Sequence, residues 1–135
     1  MRYTKKYLVG FGNEVFSQII CGVGEAVVMS WGVREIAAAE VVGREGYVCP
    51  SLVLHVSGLI HTGLVVVALN EGTDTYEIQL RTSENAPKGD WLTDVYCDEL
   101  GRRIDALVER PSDMSDEDYE RLSTLDSFLK QLLED

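Results

Sequence analysis

Basic residues are scarce in this sequence: 12 Lys and Arg stand against 23 Asp and Glu, a formal net charge of −11. A field of that sign repels phosphate backbones, which disfavours direct binding of DNA or RNA, the local exception being a small basic patch at Arg2, Lys5 and Lys6. Cysteine is limited to Cys21, Cys49 and Cys97. An odd number at wide spacing argues against a disulfide framework and against any CxxC-type zinc or redox unit, and the three read as buried thiols. The two histidines, His55 and His61, match no standard zinc spacing even with Cys49 added, so no metal ligand and no cofactor is expected. Long apolar runs are missing as well. The longest falls far short of the ~20 residues that a membrane span needs. The Arg2, Lys5, Lys6 start leads into Gly10, Gly12, Asn13 and Glu14 rather than into a signal-peptide core, so a cytoplasmic chain is expected.

Catalytic and nucleotide-binding signatures are equally thin. Gly10 and Gly12 (GFG) and Gly22 and Gly24 (GVG) complete neither GxGxxG nor GxxxxGK[ST], and the acidic run Asp113 to Glu120 lacks the glycine and spacing of a calcium loop. No catalytic or cofactor-binding residue is assigned on this basis. A site dispersed in three dimensions leaves no local motif, and its first candidates are His55, His61, Asp74 and Tyr76. Asp74 also reads as an ordinary turn residue.

What the sequence does carry is architecture. Leu64 to Leu69 is apolar at every position, the mark of a central strand covered on both faces. Tyr76, Ile78 and Leu80 then alternate with Thr75, Glu77, Gln79 and Arg81, the period of a strand with one wet face. Asn70, Glu71, Gly72, Thr73 and Asp74 between them hold hairpin-turn chemistry. Upstream, Ser51 to Val56 alternates in the same way, giving three consecutive antiparallel strands with Leu64 to Leu69 in the middle.

Around these strands the spacing predicts a first helix over 13–21, with Asn13 as N-cap, Val15, Phe16, Ile19 and Ile20 on its apolar side and Gly22 as its stop. Glu25 to Trp31 reads as a buried strand, although its length does not exclude a helix. Val33 to Val42 favours helix by propensity and ends at Gly43. Asp90 or Thr93 can cap a helix reaching about Glu109, on which Leu92, Tyr96, Leu100, Ile104 and Leu107 form a stripe that ends before Pro111. Ser115 and Asp118 resemble a capping box. The final helix aligns Tyr119, Leu122, Leu125, Leu129 and Leu132 on one side, a candidate interaction surface that closes over the chain's own core or pairs with a second copy.

Four segments also carry a resemblance: Glu25 to Gly32 (EAVVMSWG), Leu52 to Val56 (LVLHV), Leu64 to Leu80 (LVVVALNEGTDTYEIQL) and Val95 to Glu109 (VYCDELGRRIDALVE). Their succession resembles small uncharacterised proteins of bacteriophages and integrated mobile elements, with Ser30-Trp31-Gly32 standing where those proteins have threonine and glycine and Glu77 where they have aspartate. The resemblance spans roughly residues 13 to 109. It implies origin and fold pattern only and transfers no site residue.

The expectation is an α+β protein: a mainly antiparallel three- to four-stranded sheet packed against helices, with a core over 1–110 and an acidic helical extension over 111–135. The acidity is concentrated late, with 15 acidic against 6 basic residues from 83 to 135. The function class that fits is a non-enzymatic protein acting through a protein partner or self-association. An acidic decoy for a basic nucleic-acid-handling protein and a small enzyme with a dispersed site are the alternatives.

Overall fold

The computed structural model describes residues 3–109, which form an α+β fold with the element order α1 (Lys5–Val23), α2 (Glu25–Ser30), β1 (Glu35–Val42), β2 (Val48–Ser57), β3 (Thr62–Asn70), β4 (Thr75–Arg81), β5 (Leu92–Val95) and α3 (Leu100–Val108). The sheet is antiparallel throughout and its strand order is the chain order, β1-β2-β3-β4-β5. It has five strands rather than the three or four expected. The two additional strands come from segments that read as helix, β1 by propensity and β5 by the spacing of its apolar residues.

β1 is the clearest such case. Glu35-Ile-Ala-Ala-Ala-Glu-Val-Val42 has the propensity of a helix, yet all eight residues pair with β2, from Glu35↔His55 to Val42↔Val48. Tertiary context overrides propensity here, and the alanines have a use in the strand. A Cβ on Gly12 of α1 would lie 3.1 Å from the Ala38 Cβ, so small side chains on both elements let the helix lie close on the sheet. β5 occupies the start of the expected 91–109 helix. Asp94 has a left-handed φ of 58° and the chain turns through residues 96–99, where Glu99 N–H donates to the Tyr96 carbonyl, so helix begins only at Leu100.

The reverse correction applies to Glu25–Ser30, which is helical. Left-handed glycines bracket it, Gly24 at φ 89° and Gly32 at φ 62°. α1 is longer than expected. It starts at Lys5 because the Thr4 hydroxyl caps the Tyr7 N–H, and it passes through Asn13 and Gly22 before ending at Gly24, whose N–H donates to the Ile20 carbonyl.

All three helices cover one face of the sheet. Phe11, Val15 and Ile19 of α1, Val28 of α2, Trp31, and Leu100, Ile104 and Val108 of α3 share a core with Leu52, Leu54, Val56, Val65, Val67, Tyr76 and Ile78. Two contacts fix the helix layer. The Trp31 Nε1–H, fully buried, donates to Asp105 Oδ1 at 2.8 Å, and a Cβ on Gly101 would come within 2.6 Å of the Ile19 carbonyl, so α1 and α3 cross with backbone almost touching. Among the described residues no helix is long and apolar enough to cross a membrane.

Candidate functional site

The second face of the sheet has no helix on it among the described residues. The register puts Ala37, Val53, Val66 and Gln79 in one row across four strands, and Ala39, Ser51, Ala68 and Glu77 in the next. Val66 and Ala68, the second-face positions of the fully apolar arm, are nonetheless buried. Part of their shelter is polar. The chain returning from β4 runs back along this face: Gln79 Nε2 donates to the Gly89 carbonyl at 3.0 Å, Lys88 N–H donates to the Leu80 carbonyl at 2.9 Å, and the Arg81 guanidinium stacks over Trp91 at 5.7 Å. At the other end Arg44 Nε reaches the buried Glu77 carboxylate at 3.3 Å, which Asn70 also contacts at 3.4 Å. These groups sit in a cavity of about 250 Å³ with Tyr47, Cys49 and Leu69 in its wall. Covering thins out toward β1, where Ala37 is exposed and Ala39, Val41 and Val53 are half-buried.

That places the open surface at a strand edge. Gly43 N–H donates to the Tyr47 carbonyl across the β1–β2 turn, and mutually bonded residues of an antiparallel ladder recur at every second position. Glu35, Ala37, Ala39 and Val41 therefore bond inward to β2. The N–H and C=O groups of Ile36, Ala38, Glu40 and Val42 point outward, with no sixth strand to receive them among the described residues. Ile36 is 48% exposed and Val42 59% exposed on the same edge. Among the described residues β1 has no lysine, no proline and no bulge along its pairing with β2; its charges are Glu35 and Glu40, and Glu40 Oε1 receives the Tyr3 N–H at 2.6 Å. The opposite edge is guarded. β5 has four residues, pairs at only Tyr76↔Val95 and Ile78↔Leu92 with a register shift between them, and carries Asp94 in a left-handed conformation.

The residues singled out from the sequence fare differently. Tyr119, Leu122, Leu125, Leu129 and Leu132, like the whole proposed 111–135 extension, lie outside the described residues. His55 and Cys49 belong to opposite ends of β2, and His55 Nε2 lies 3.3 Å from Ser83 Oγ. His61 is buried with Nε2 3.0 Å from the Leu64 carbonyl and Nδ1 3.1 Å from Lys88 Nζ. Since a carbonyl only accepts, Nε2 carries the ring proton, and Nδ1 receives the Lys88 proton, which occupies both ring nitrogens. Burial, opposed by the Leu64 hydrogen bond and reinforced by the Lys88 charge, pushes the His61 pKa below its ordinary value. Among the described residues no three His, Cys, Asp or Glu side chains form a metal-binding group.

Asp74 sits at φ 55° in the β3–β4 turn, where Asn70 Oδ1 receives the Gly72 and Thr73 amides, as its turn reading requires. Tyr76 faces the helix side, away from the two histidines. Its hydroxyl donates to Gln18 Oε1 at 3.2 Å, and burial, with the charges of Glu14, Cys97 and Asp74 adding to it, raises its pKa. A phenol shifted upward is a poorer base at neutral pH. These candidates are not brought together. The expectation of buried thiols also fails, because Cys21 and Cys97 are exposed and Cys49 is half-buried. The β1 edge was missed by sequence reasoning because its residues read as helix, and no signal in one sequence distinguishes that helix from a strand. No protein family, curated protein or solved structure matches this chain.

Proposed function

We propose that this chain is a non-enzymatic assembly protein that pairs β1 with β1 of a second copy, extending its sheet across a two-fold axis. The observation that carries the reading is the eight-residue edge, free of lysine, proline and bulge, with Ile36 and Val42 exposed on it. Antiparallel pairing centred on Ala39 opposes Ile36 to Val42 of the second copy on the helix face and Ala37 to Val41 on the other. Ala38 then faces Glu40. Shifting the centre to Ala38 sets Ile36 against Glu40 instead, so the first register is the apolar one. With four outward residues per strand, each bringing one donor and one acceptor, the pairing closes about eight backbone hydrogen bonds. The mobile-element resemblance suggests an origin for such a protein and assigns none of these residues.

Two acidic copies repel one another, so pairing of this kind strengthens as salt rises, whereas capture of a basic partner by an acidic decoy weakens. Sedimentation velocity of the full chain in low and high salt tests the reading, with Ile36→Lys as the edge-blocking variant. Expected are a dimer favoured by salt and an Ile36→Lys monomer with an unchanged circular dichroism spectrum. A wild-type chain that stays monomeric in both salts at high protein concentration overturns it.

A further inference from the structure

Cys21 and Cys97 stand far apart in sequence and together in space. Both are exposed, and both line one surface depression whose other lining residues are Gln18, Gly22 and Asp98. α1 brings Gln18 and Cys21 to one face by their three-residue spacing. The turn after β5 brings Cys97 and Asp98 to meet them. Backbone contact shows how closely the two elements run, since a Cβ on Gly22 would lie 3.9 Å from the Asp98 carbonyl oxygen and 3.7 Å from the Gly101 nitrogen. Cys21 precedes Gly22 in the chain and Cys97 precedes Asp98. The Tyr76 hydroxyl donates to Gln18 Oε1 beside them at 3.2 Å. Cys49, by contrast, lies on the opposite face of the sheet, by the Tyr47 carbonyl and the Arg44–Glu77 cavity.

We propose that Cys21 and Cys97 are a dithiol site that closes to an intramolecular disulfide when a peroxide supplies the oxidant. One thiolate attacks a peroxide oxygen, the O–O bond breaks, and the sulfur becomes a sulfenic acid with release of one water. The second thiolate attacks that sulfur, forms the S–S bond and expels the oxygen as a second water. Two thiols and one hydrogen peroxide thus give one disulfide and two waters, with two electrons passing from sulfur to peroxide oxygen. Disulfide geometry requires the two Cα atoms within about 7 Å. Cys97 lies in a turn, outside β5 and α3, where the backbone can move more readily than within either element. The bond joins the end of α1 to the entrance of α3 and encloses the entire sheet between them.

The test uses the full chain, with Cys21→Ser and Cys97→Ser as variants and Cys49 as the internal reference thiol. Peroxide treatment at mildly alkaline pH is expected to lower the thiol titre from three to one per chain. Peptide mass mapping should find Cys21 joined to Cys97, with a raised Tm that a dithiol reductant reverses. Phenylarsine oxide, which needs two neighbouring thiols and no oxidation, provides the second measurement. Reduced wild type should bind it one to one, and either serine variant should bind roughly 100-fold more weakly or worse. Equal binding by wild type and both variants, or oxidation that yields only sulfinic acids or links between molecules, overturns the proposal.

Discussion

Replacing Gly101 by alanine tests the tightest contact of the helix layer, and replacing Gly10 by alanine provides its control. Both glycines are helical, and alanine in a helix interior is favoured over glycine by about 0.8–1 kcal/mol. At Gly10 a Cβ meets nothing within 4 Å, so that preference is fully realised and Gly10→Ala should stabilise the protein by about 0.8–1 kcal/mol. At Gly101 the same atom would lie 2.6 Å from the Ile19 carbonyl oxygen and 3.1 Å from both methyls of Val23. Backbone cannot turn away as a flexible side chain can, and overpacking of this kind costs about 1–3 kcal/mol. Gly101 also stands in the first turn of α3, where the propensity gain is smaller. The overlap wins, and Gly101→Ala should lose about 1–2 kcal/mol net. In urea, with a slope of about 1.5 kcal/mol per molar, the two midpoints should separate by about 1–2 M in opposite directions from wild type. If Gly101→Ala is as stable as Gly10→Ala, α1 and α3 do not cross where the structure puts them.

Two further stability predictions concern buried polar groups. Asp105→Ala leaves the fully buried Trp31 indole N–H without its acceptor and should cost about 1–3 kcal/mol, while Asp105→Asn, which keeps an acceptor, should recover part of it in the same urea assay. For His61, burial lowers the folded-state pKa below the ordinary 6.5, so the unfolded chain binds the proton more readily. The stability tied to neutral His61 is therefore intact above about pH 6.5 and declines as the pH falls toward the lower folded value. Urea midpoints of wild type and His61→Gln across that window should converge on the acid side, and parallel curves would show that His61 is not buried neutral.

The strands that alternate or run fully apolar were legible, and so was their order, but the face of β4 expected to be wet is not: Thr75, Glu77 and Gln79 are buried. Ser51 to Val56, Leu64 to Leu69 and Tyr76 to Leu80 all lie in antiparallel strands, with the apolar arm in the central one. Burial of both faces was legible too, as Val65, Val66, Val67 and Ala68 bear out. What covered the second face was not. Shelter there comes in part from the return of residues 82–91 and from an Arg44–Glu77 pair, contacts between residues far apart in sequence. β1 and α2 were exchanged in type for opposite reasons. Alanines that favour helix locally serve in β1 to seat α1, and a β-branched run that favours strand is confined by two left-handed glycines. The single helix expected over 91–109 failed because the spacing of Leu92, Tyr96 and Leu100 suits a helix, while Leu92 also suits a short edge strand. The dithiol could not be seen at all, since only the fold brings positions 21 and 97 to one depression.

The poor quality of β5 as a strand has a use that its four residues do not suggest. A sheet with two good edges is a monomer unit for a fibre, since every addition restores a growing end. Here one end is spoiled by a register shift and by Asp94 in a left-handed conformation, so among the described residues β1 is the edge fit for extension. The β1 pairing proposed above would then be self-terminating, stopping at two copies rather than growing. Repairing β5 into a long regular strand would lift that limit and let the proposed pairing continue into a polymer.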